Sequence, residues 1–381
     1  MSDIISKLTN LKILVVAGGS AGNQSAISNQ NKLLAILSDV SDRIDLITCC
    51  DEDDGPIEFA DEVIYLSTEK VPLFSYLIDQ IRCSKAMAEF SKRRGYDMVF
   101  FAFGRDIHVL PVLFSKMLTG KTVLRTDSRP SVTMDYYKKR SQWFRKGVLK
   151  TLEWISYRSS DLILTESEYS IEENRLKGYP NVHVANLFVD LEIFKKSKEF
   201  DDRQFDFGYI GRYSAEKGIR EFIEAVPMVQ KELRDPCIYF AGNGPESYLV
   251  SNMIENNSNP DSFFRENWLK QNQLVDRLND IKVLVVPSYK EGLPNIILES
   301  MACGTVVLST DVGSIPAVLK DGETGFIIPD NCPHNIALNV IKVLNCGNLD
   351  LIIENARELI ENEYSFSRGV YNMRKALETI M

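Results

Sequence analysis

Apolar residues fall in short β-branched runs separated by longer stretches of helical period. Residues 11–17 (LKILVVA), 44–48, 62–66, 97–103 (DMVFFAF), 121–126, 161–165 and 181–185 each predict a short strand. The intervals between several of them carry the 3.6-residue spacing of amphipathic helices, most clearly at 23–37 and 73–94. The second of these closes on Lys92-Arg93-Arg94 and Gly95, a helix stop signal. A charged stretch without apolar period follows at 195–202, and the alternation then restarts. Residues 205–210, 237–241, 283–286, 305–309 and 326–328 predict strands. Residues 335–344, 349–363 and 368–381 predict the closing helices. Such β-α-β alternation, met twice, predicts an α/β protein of two doubly wound Rossmann-like domains facing a central cleft. The expected division is 1–190, a linker at 191–204, and 205–363, with a last helix at 364–381.

The 381 residues exceed one ordinary core, which agrees with two domains. A net charge of −9 argues against general nucleic-acid binding, because a phosphate backbone would be repelled on average. The seven cysteines are scattered, odd in number and never spaced C-x-x-C, as expected of free thiols in a reducing compartment. The start MSDIISKLTN lacks a basic, then apolar, leader. No apolar run approaches the roughly 18 residues of a membrane span. The expectation is a cytoplasmic protein.

One departure from the acidic average concerns location. Residues 136–158 hold seven lysines and arginines against Glu153 alone, interleaved with Trp143, Phe144, Leu149, Leu152, Trp154 and Ile155. A basic segment with aromatics suits an anionic membrane surface, here the inner face of a membrane. The alternative is a solvated helix whose aromatics face the core.

The stretch 282–304, KVLVVPSYKEGLPNIILESMACG, carries the strongest candidate chemistry. A buried strand ends at Pro287, a turn follows, and Pro294 opens a helix at its expected first position. Helix N-termini suit phosphate, and the carboxylates Glu291 and Glu299 suit sugar hydroxyls. Asn295 and Glu299, four apart, share a helix face. At another strand tip, Gly211-Arg212 and Lys217-Gly218 bring two cations close together, which suits a diphosphate. In the first half, Gly18-Gly19 lie in a glycine-rich turn after the first strand, either a phosphate approach or a plain tight turn. Asp127, at a later strand tip, is either a site residue or a helix cap. His108, expected in the helix begun by Gly104-Arg105-Asp106, is either a site residue near a strand end or a half-buried structural histidine. The acidic run at 51–54 is a solvated loop or, less compatibly with Gly55-Pro56, a metal site.

These motifs together resemble the retaining glycosyltransferases of family 4 (glycosyl transferases group 1), which have the GT-B fold. The resemblance rests on Gly211-Arg212 to Lys217-Gly218, Val286-Pro287-Ser288 to Glu291-Gly292, and Glu299 to Gly304, with the family's E-x7-E spacing. Asp311-Val312-Gly313 and Asp321-Gly322-Glu323-Thr324-Gly325-Phe326 match in order and spacing. Leu187 and Phe188 stand where the family's N-G-V-D linker has asparagine and glycine.

The resemblance implies a nucleotide-diphosphate sugar donor and a hydroxyl acceptor: a glycan, a lipid-linked sugar or a small molecule. It implies Arg212 and Lys217 on the diphosphate, Glu299 on the ribose and Glu291 on the sugar. Main-chain groups of Gly292, Leu293, Pro294 and Asn295 would help to hold that sugar, and Gly18 and Gly19 would face the donor. It further implies transfer with retention, without a metal or other cofactor, and a last helix returning to the first domain. Many members carry a histidine where this chain has Arg125-Thr126-Asp127, so Asp127 becomes the acceptor-side candidate. The rival readings are a sugar-nucleotide epimerase of the same fold and a non-catalytic sugar-nucleotide-binding protein. The first needs an acid/base set that these residues do not assemble. The second is opposed by the intact Arg212, Lys217, Glu291 and Glu299.

Overall fold

The computed structural model describes residues 11–19, 24–66, 75–105, 107–126, 129–132 and 143–381. The chain divides into two compact units, residues 1–188 with 366–381, and residues 189–365.

The first unit is built on a seven-stranded sheet. Its strands are β1 (Lys12–Ala17), β2 (Arg43–Thr48), β3 (Glu62–Tyr65), β4 (Met98–Ala102), β5 (Thr122–Arg125), β6 (Leu162–Thr165) and β7 (Val182–Val184). All pairings are parallel, in the order β3-β2-β1-β4-β5-β6-β7. Burial on both faces explains why these strands are nearly continuous apolar runs rather than alternating ones. On one face, Ile13, Val15, Leu46, Phe100 and Leu164 pack with helix α1 (Gln24–Ser38) and with Val370, Met373 and Leu377 of the last helix. On the other, Leu14, Val16, Val99, Phe101 and Ile163 pack with residues of three helices: α2 (Ser75–Arg93), α3 (Val109–Leu118) and α4 (Trp143–Ser159). A short helix, α5 (Glu168–Glu173), capped by the Ser167 hydroxyl accepting from Ser170 N–H, was not apparent in the polar sequence around it.

The second unit has a six-stranded parallel sheet. Its strands are β8 (Phe205–Ile210), β9 (Ile238–Ala241), β10 (Phe263–Glu266), β11 (Ile281–Val286), β12 (Val306–Thr310) and β13 (Phe326–Ile328). They run in the order β10-β9-β8-β11-β12-β13. The helices are α6 (Ile219–Glu232), α7 (Ser247–Glu255), α8 (Gln271–Asp280), α9 (Asn295–Ala302), α10 (Pro333–Leu344) and α11 (Leu349–Glu363). The final helix, α12 (Phe366–Glu378), belongs to the first unit and packs on α1, where Arg374 donates to Asp39 at 2.5 Å.

Three expectations change. The charged stretch expected as a linker at 191–204 belongs to the second unit. There the buried Arg203 guanidinium donates to the carbonyls of Leu278, Ile281 and Cys303 at 2.8–2.9 Å. Polar anchoring of this kind leaves no apolar period to read. Pro294 is the residue before α9, with extended φ/ψ of −68° and 124°, so the helix starts one residue later than expected. His108 likewise precedes α3 instead of lying within it.

Candidate active site

The second sheet reverses direction between β8 and β11: β9 and β10 lie to one side, β12 and β13 to the other. At such a switch point two loops diverge from neighbouring strand tips and leave a recess. The loop after β8 runs through Gly211-Arg212 into a 3-10 turn, Ala215–Lys217, and then α6. The loop after β11 runs from Pro287 to α9. These are the two motifs that the sequence singled out.

The loops are tied together. Lys217 Nζ donates to Glu291 Oε2 at 2.6 Å, across 74 positions of sequence. The Ser288 hydroxyl donates to the other carboxylate oxygen at 2.6 Å. Glu291 is thus held at both oxygens, and its side chain is only 8% exposed against 32% for Lys217. Tyr289 N–H donates to the Glu216 carbonyl at 3.0 Å, and Tyr289 Oη to Glu221 at 2.8 Å. Beneath the loops, Tyr209 Oη donates to the Arg212 carbonyl at 2.8 Å. Burial, then the Glu291 charge, drive the Tyr209 phenol well above its usual pKa, so it acts as a donor.

Two glycines set how closely these segments approach. Gly218, at φ +69°, leaves no room for a side chain: a Cβ there would lie 1.9 Å from the Pro287 carbonyl oxygen. Gly313, at φ +59°, would meet the Glu291 carbonyl oxygen at 2.1 Å. Both positions need the left-handed conformation and the missing Cβ. Ser314 N–H then donates to the Gly292 carbonyl at 3.0 Å, which fixes the loop from the β12 side.

The remaining sequence candidates fall as follows. Arg212 is exposed at the tip of β8. Burial acts to raise the Glu216 carboxyl, but the Ser214 hydroxyl, its own backbone, Arg212 and Lys217 hold it below its usual pKa. Gly292, Leu293, Pro294 and Asn295 are half-buried where the loop enters α9. Glu299, one turn into that helix, is buried. Burial pushes the neighbouring Cys303 thiol up to about 12; Arg203 opposes the rise and the Glu299 charge adds to it.

In the first unit the corresponding sheet reversal lies between β1 and β4. Gly18 is buried there and its N–H donates to the Ala102 carbonyl at 3.0 Å, while Gln30 Nε2 donates to its carbonyl at 2.7 Å. Both main-chain groups of Gly18 are engaged, and Gly19 is the exposed member of the pair. Asp127 lies outside the described residues. At the tip of β4, His108 is a buried structural histidine, one of its two sequence readings, and its neighbour Arg105, which the sequence offered only as a helix start, is buried with it. Arg105 donates to Asp79, to His108 at 2.8 Å and to the Cys49 thiol. Burial and then Arg105 push the His108 imidazole down to about 3, with Asp79 opposing, so it is neutral. The signal available was Gly104-Arg105 directly after an apolar run. Among the described residues no three His, Cys, Asp or Glu side chains gather as a metal cluster.

Comparison with known proteins bears mainly on the second unit. Residues 190–365 match the family model Glycosyl transferases group 1. Over this segment, somewhat under half of the chain, the protein is similar to that family. Across a longer span the chain is 27% identical over 246 residues to an uncharacterized glycosyltransferase of Methanocaldococcus jannaschii, covering 61% of this chain and 62% of that one. It is 22% identical over 312 residues to the N-acetyl-alpha-D-glucosaminyl L-malate synthase of Bacillus anthracis, covering 78% and 79%. The match thus spans somewhat under two thirds of the archaeal relative. Anabaena HepE, solved in complex with UDP, superposes with a TM-score of 0.76 at 14% identity, over 97% of this chain and 100% of that one. The architecture is that of the GT-B glycosyltransferases, as the sequence motifs implied.

Proposed function

We propose that the chain is a retaining, metal-independent glycosyltransferase that moves a sugar from a nucleotide-diphosphate donor to a hydroxyl acceptor. The observation that carries this reading is the Lys217–Glu291 pair at the β8/β11 switch point, with Arg212 exposed on the Lys217 loop and Glu291 in the loop that leads into α9. A cation and a helix N-terminus suit the charge that grows on a departing diphosphate. Lys217 and Arg212 are assigned to the phosphates and Glu291 to the sugar hydroxyls. Glu299 is assigned to the ribose, and main-chain groups of Gly292 to Asn295 help to hold the sugar. In this reading the leaving phosphate takes the acceptor's proton as the new bond forms on the face the leaving group departs. Gly19 is the first unit's candidate toward the donor, and Asp127 its candidate toward the acceptor. The acceptor class is a glycan, a lipid-linked sugar or a small molecule carrying a hydroxyl. The group 1 match and the UDP complex of HepE support a UDP-sugar as the first donor to try.

The test is thermal stabilisation by UDP-, GDP- and ADP-sugars, followed by calorimetry of the best donor on a Glu299→Ala variant. A lost charged hydrogen bond to ribose is worth roughly 1.5–3 kcal/mol, so donor affinity is expected to fall roughly 10- to 100-fold with the fold intact. Unchanged affinity removes Glu299 from the site. Turnover is expected to persist in excess EDTA, and its loss there would overturn the metal-free assignment.

A further inference from the structure

Among the described residues the first unit exposes most of its large apolar side chains in one place. Helices α2, α3 and α4 lie side by side: α2 packs against α3, and α3 against α4. Their inner residues, Cys83, Met87 and Phe90, Val112, and Tyr157, join one core on the same sheet face. Their outer residues therefore share one side of this unit. On α3, Leu110, Leu113 and Met117 are exposed at i, i+3 and i+7, a single stripe, with Met117 81% exposed. On α2, Tyr76, Leu77 and Ile81 are exposed. On α4, Trp143 (82%), Phe144 (73%), Val148 and Trp154 are exposed. Ten large apolar side chains on three adjacent helices exceed the scattered singles that a soluble surface normally shows.

Charge selects the partner. The three helices carry nine lysines and arginines and three acids. Each acid is paired with an arginine: Asp79 with Arg105, Glu89 with Arg93, and Glu153 with Arg129. Glu153 is fully buried, where Arg129 and the Ser131 hydroxyl hold it. Arg145, Lys150 and Arg158 are exposed on α4 and Lys146 is half-exposed, beside the aromatics, in a chain whose net charge is −9. Cations flanking exposed tryptophan, phenylalanine and leucine match the boundary between anionic headgroups and acyl chains. No single helix among the described residues is long and apolar enough to cross a bilayer, so the contact would be peripheral.

We infer that the outer faces of α2, α3 and α4 form a docking surface for an anionic lipid bilayer. Apolar residues enter the interface and the α4 cations hold it by charge. The inference extends past the basic segment seen in the sequence, because α2 and α3 supply six of the ten apolar residues. It stands on α4 as described; residues 133–142 lie outside the described residues. It goes beyond the transfer reaction and is separable from it.

The experiment uses the full chain with two kinds of vesicle, phosphatidylcholine alone and phosphatidylcholine mixed with phosphatidylglycerol. Co-sedimentation is expected with the mixed vesicles only, weakening as salt is raised. Trp143 and Trp154 are two of the three tryptophans, so a Trp268→Phe background isolates their fluorescence, which should shift to the blue on binding. Combining Arg145→Gln, Lys146→Gln and Lys150→Gln should weaken binding on the order of a hundredfold. Leu113→Glu with Met117→Glu should abolish the remaining apolar insertion. Donor affinity should be unchanged in both variants, so a failure of the donor assignment is read separately. Three results would overturn the inference. One is absence of binding at low salt. Another is binding that neither variant weakens. The third is a dimer that buries this face and leaves no vesicle binding.

Discussion

The two units contain similar sheets and use their strand tips in opposite ways. In the second, the switch point faces outward with charge. Lys217, Arg212 and Glu291 stand at the loop ends, and Glu291 is held from two sides. In the first, the strand-tip cation Arg105 turns inward to Asp79, His108 and Cys49. The contrast extends to the surface. Of the second unit's helices, α6, α7, α10 and α11 each expose one large apolar residue: Met228, Tyr248, Leu338 and Leu351. On the first unit, α2, α3 and α4 expose three, three and four. One α/β plan thus yields charged strand-tip loops in one unit and an apolar, cationic outer face in the other. The difference lies in loops and helix exteriors, while the strands remain nearly interchangeable apolar runs.

The largest expected effect that would break this comparison is on the first unit's stability. Glu153→Leu leaves Arg129 buried without its partner, which typically costs about 3–5 kcal/mol. Thermal unfolding should show that loss with donor affinity unchanged at any temperature where the fold survives. A loss of donor affinity in the folded variant would mean that the two units are not separable in this way.

A smaller effect concerns pH. The His108 pKa of about 3 lies below the usual 6.5, so between these values the unfolded chain binds a proton that the folded chain does not. Stability of the first unit should therefore fall as pH drops through that window and be unaffected above it. The NMR signal of the His108 ring should stay that of a neutral imidazole from pH 8 to about 5. A midpoint near 6.5 would show that the imidazole is not sealed beside Arg105.

The sequence made most of the architecture legible because buried parallel strands are short apolar runs. Residues 205–210, 326–328 and 349–363 were bounded as the structure has them. What escaped was polar or short. β10 offers only Phe263 and Phe264 before Arg265 and Glu266, as an edge strand does; α5 is polar and α7 is only nine residues long. The candidate site residues of the second unit were legible individually, through glycines, cations and carboxylates at strand tips. Their pairing was not. Lys217 and Glu291 meet because β8 and β11 are neighbours in the sheet, which local pattern does not encode. The inward turn of Arg105 was hidden for a like reason: besides His108, three residues on, its partners are Asp79 on α2 and Cys49 just after β2, both distant in sequence.

The central claim is a division of labour in the second unit's recess, with Lys217 for the diphosphate and Glu291 for the sugar. Calorimetry of UDP, which lacks the sugar, tests it most directly on two variants. Lys217→Ala should weaken UDP roughly 10- to 100-fold, the worth of a charged hydrogen bond. Glu291→Gln, which releases Lys217 from its ion pair, should leave UDP affinity equal or higher while sugar transfer is lost. Unchanged UDP affinity in Lys217→Ala, or an equal loss in both variants, would contradict the account.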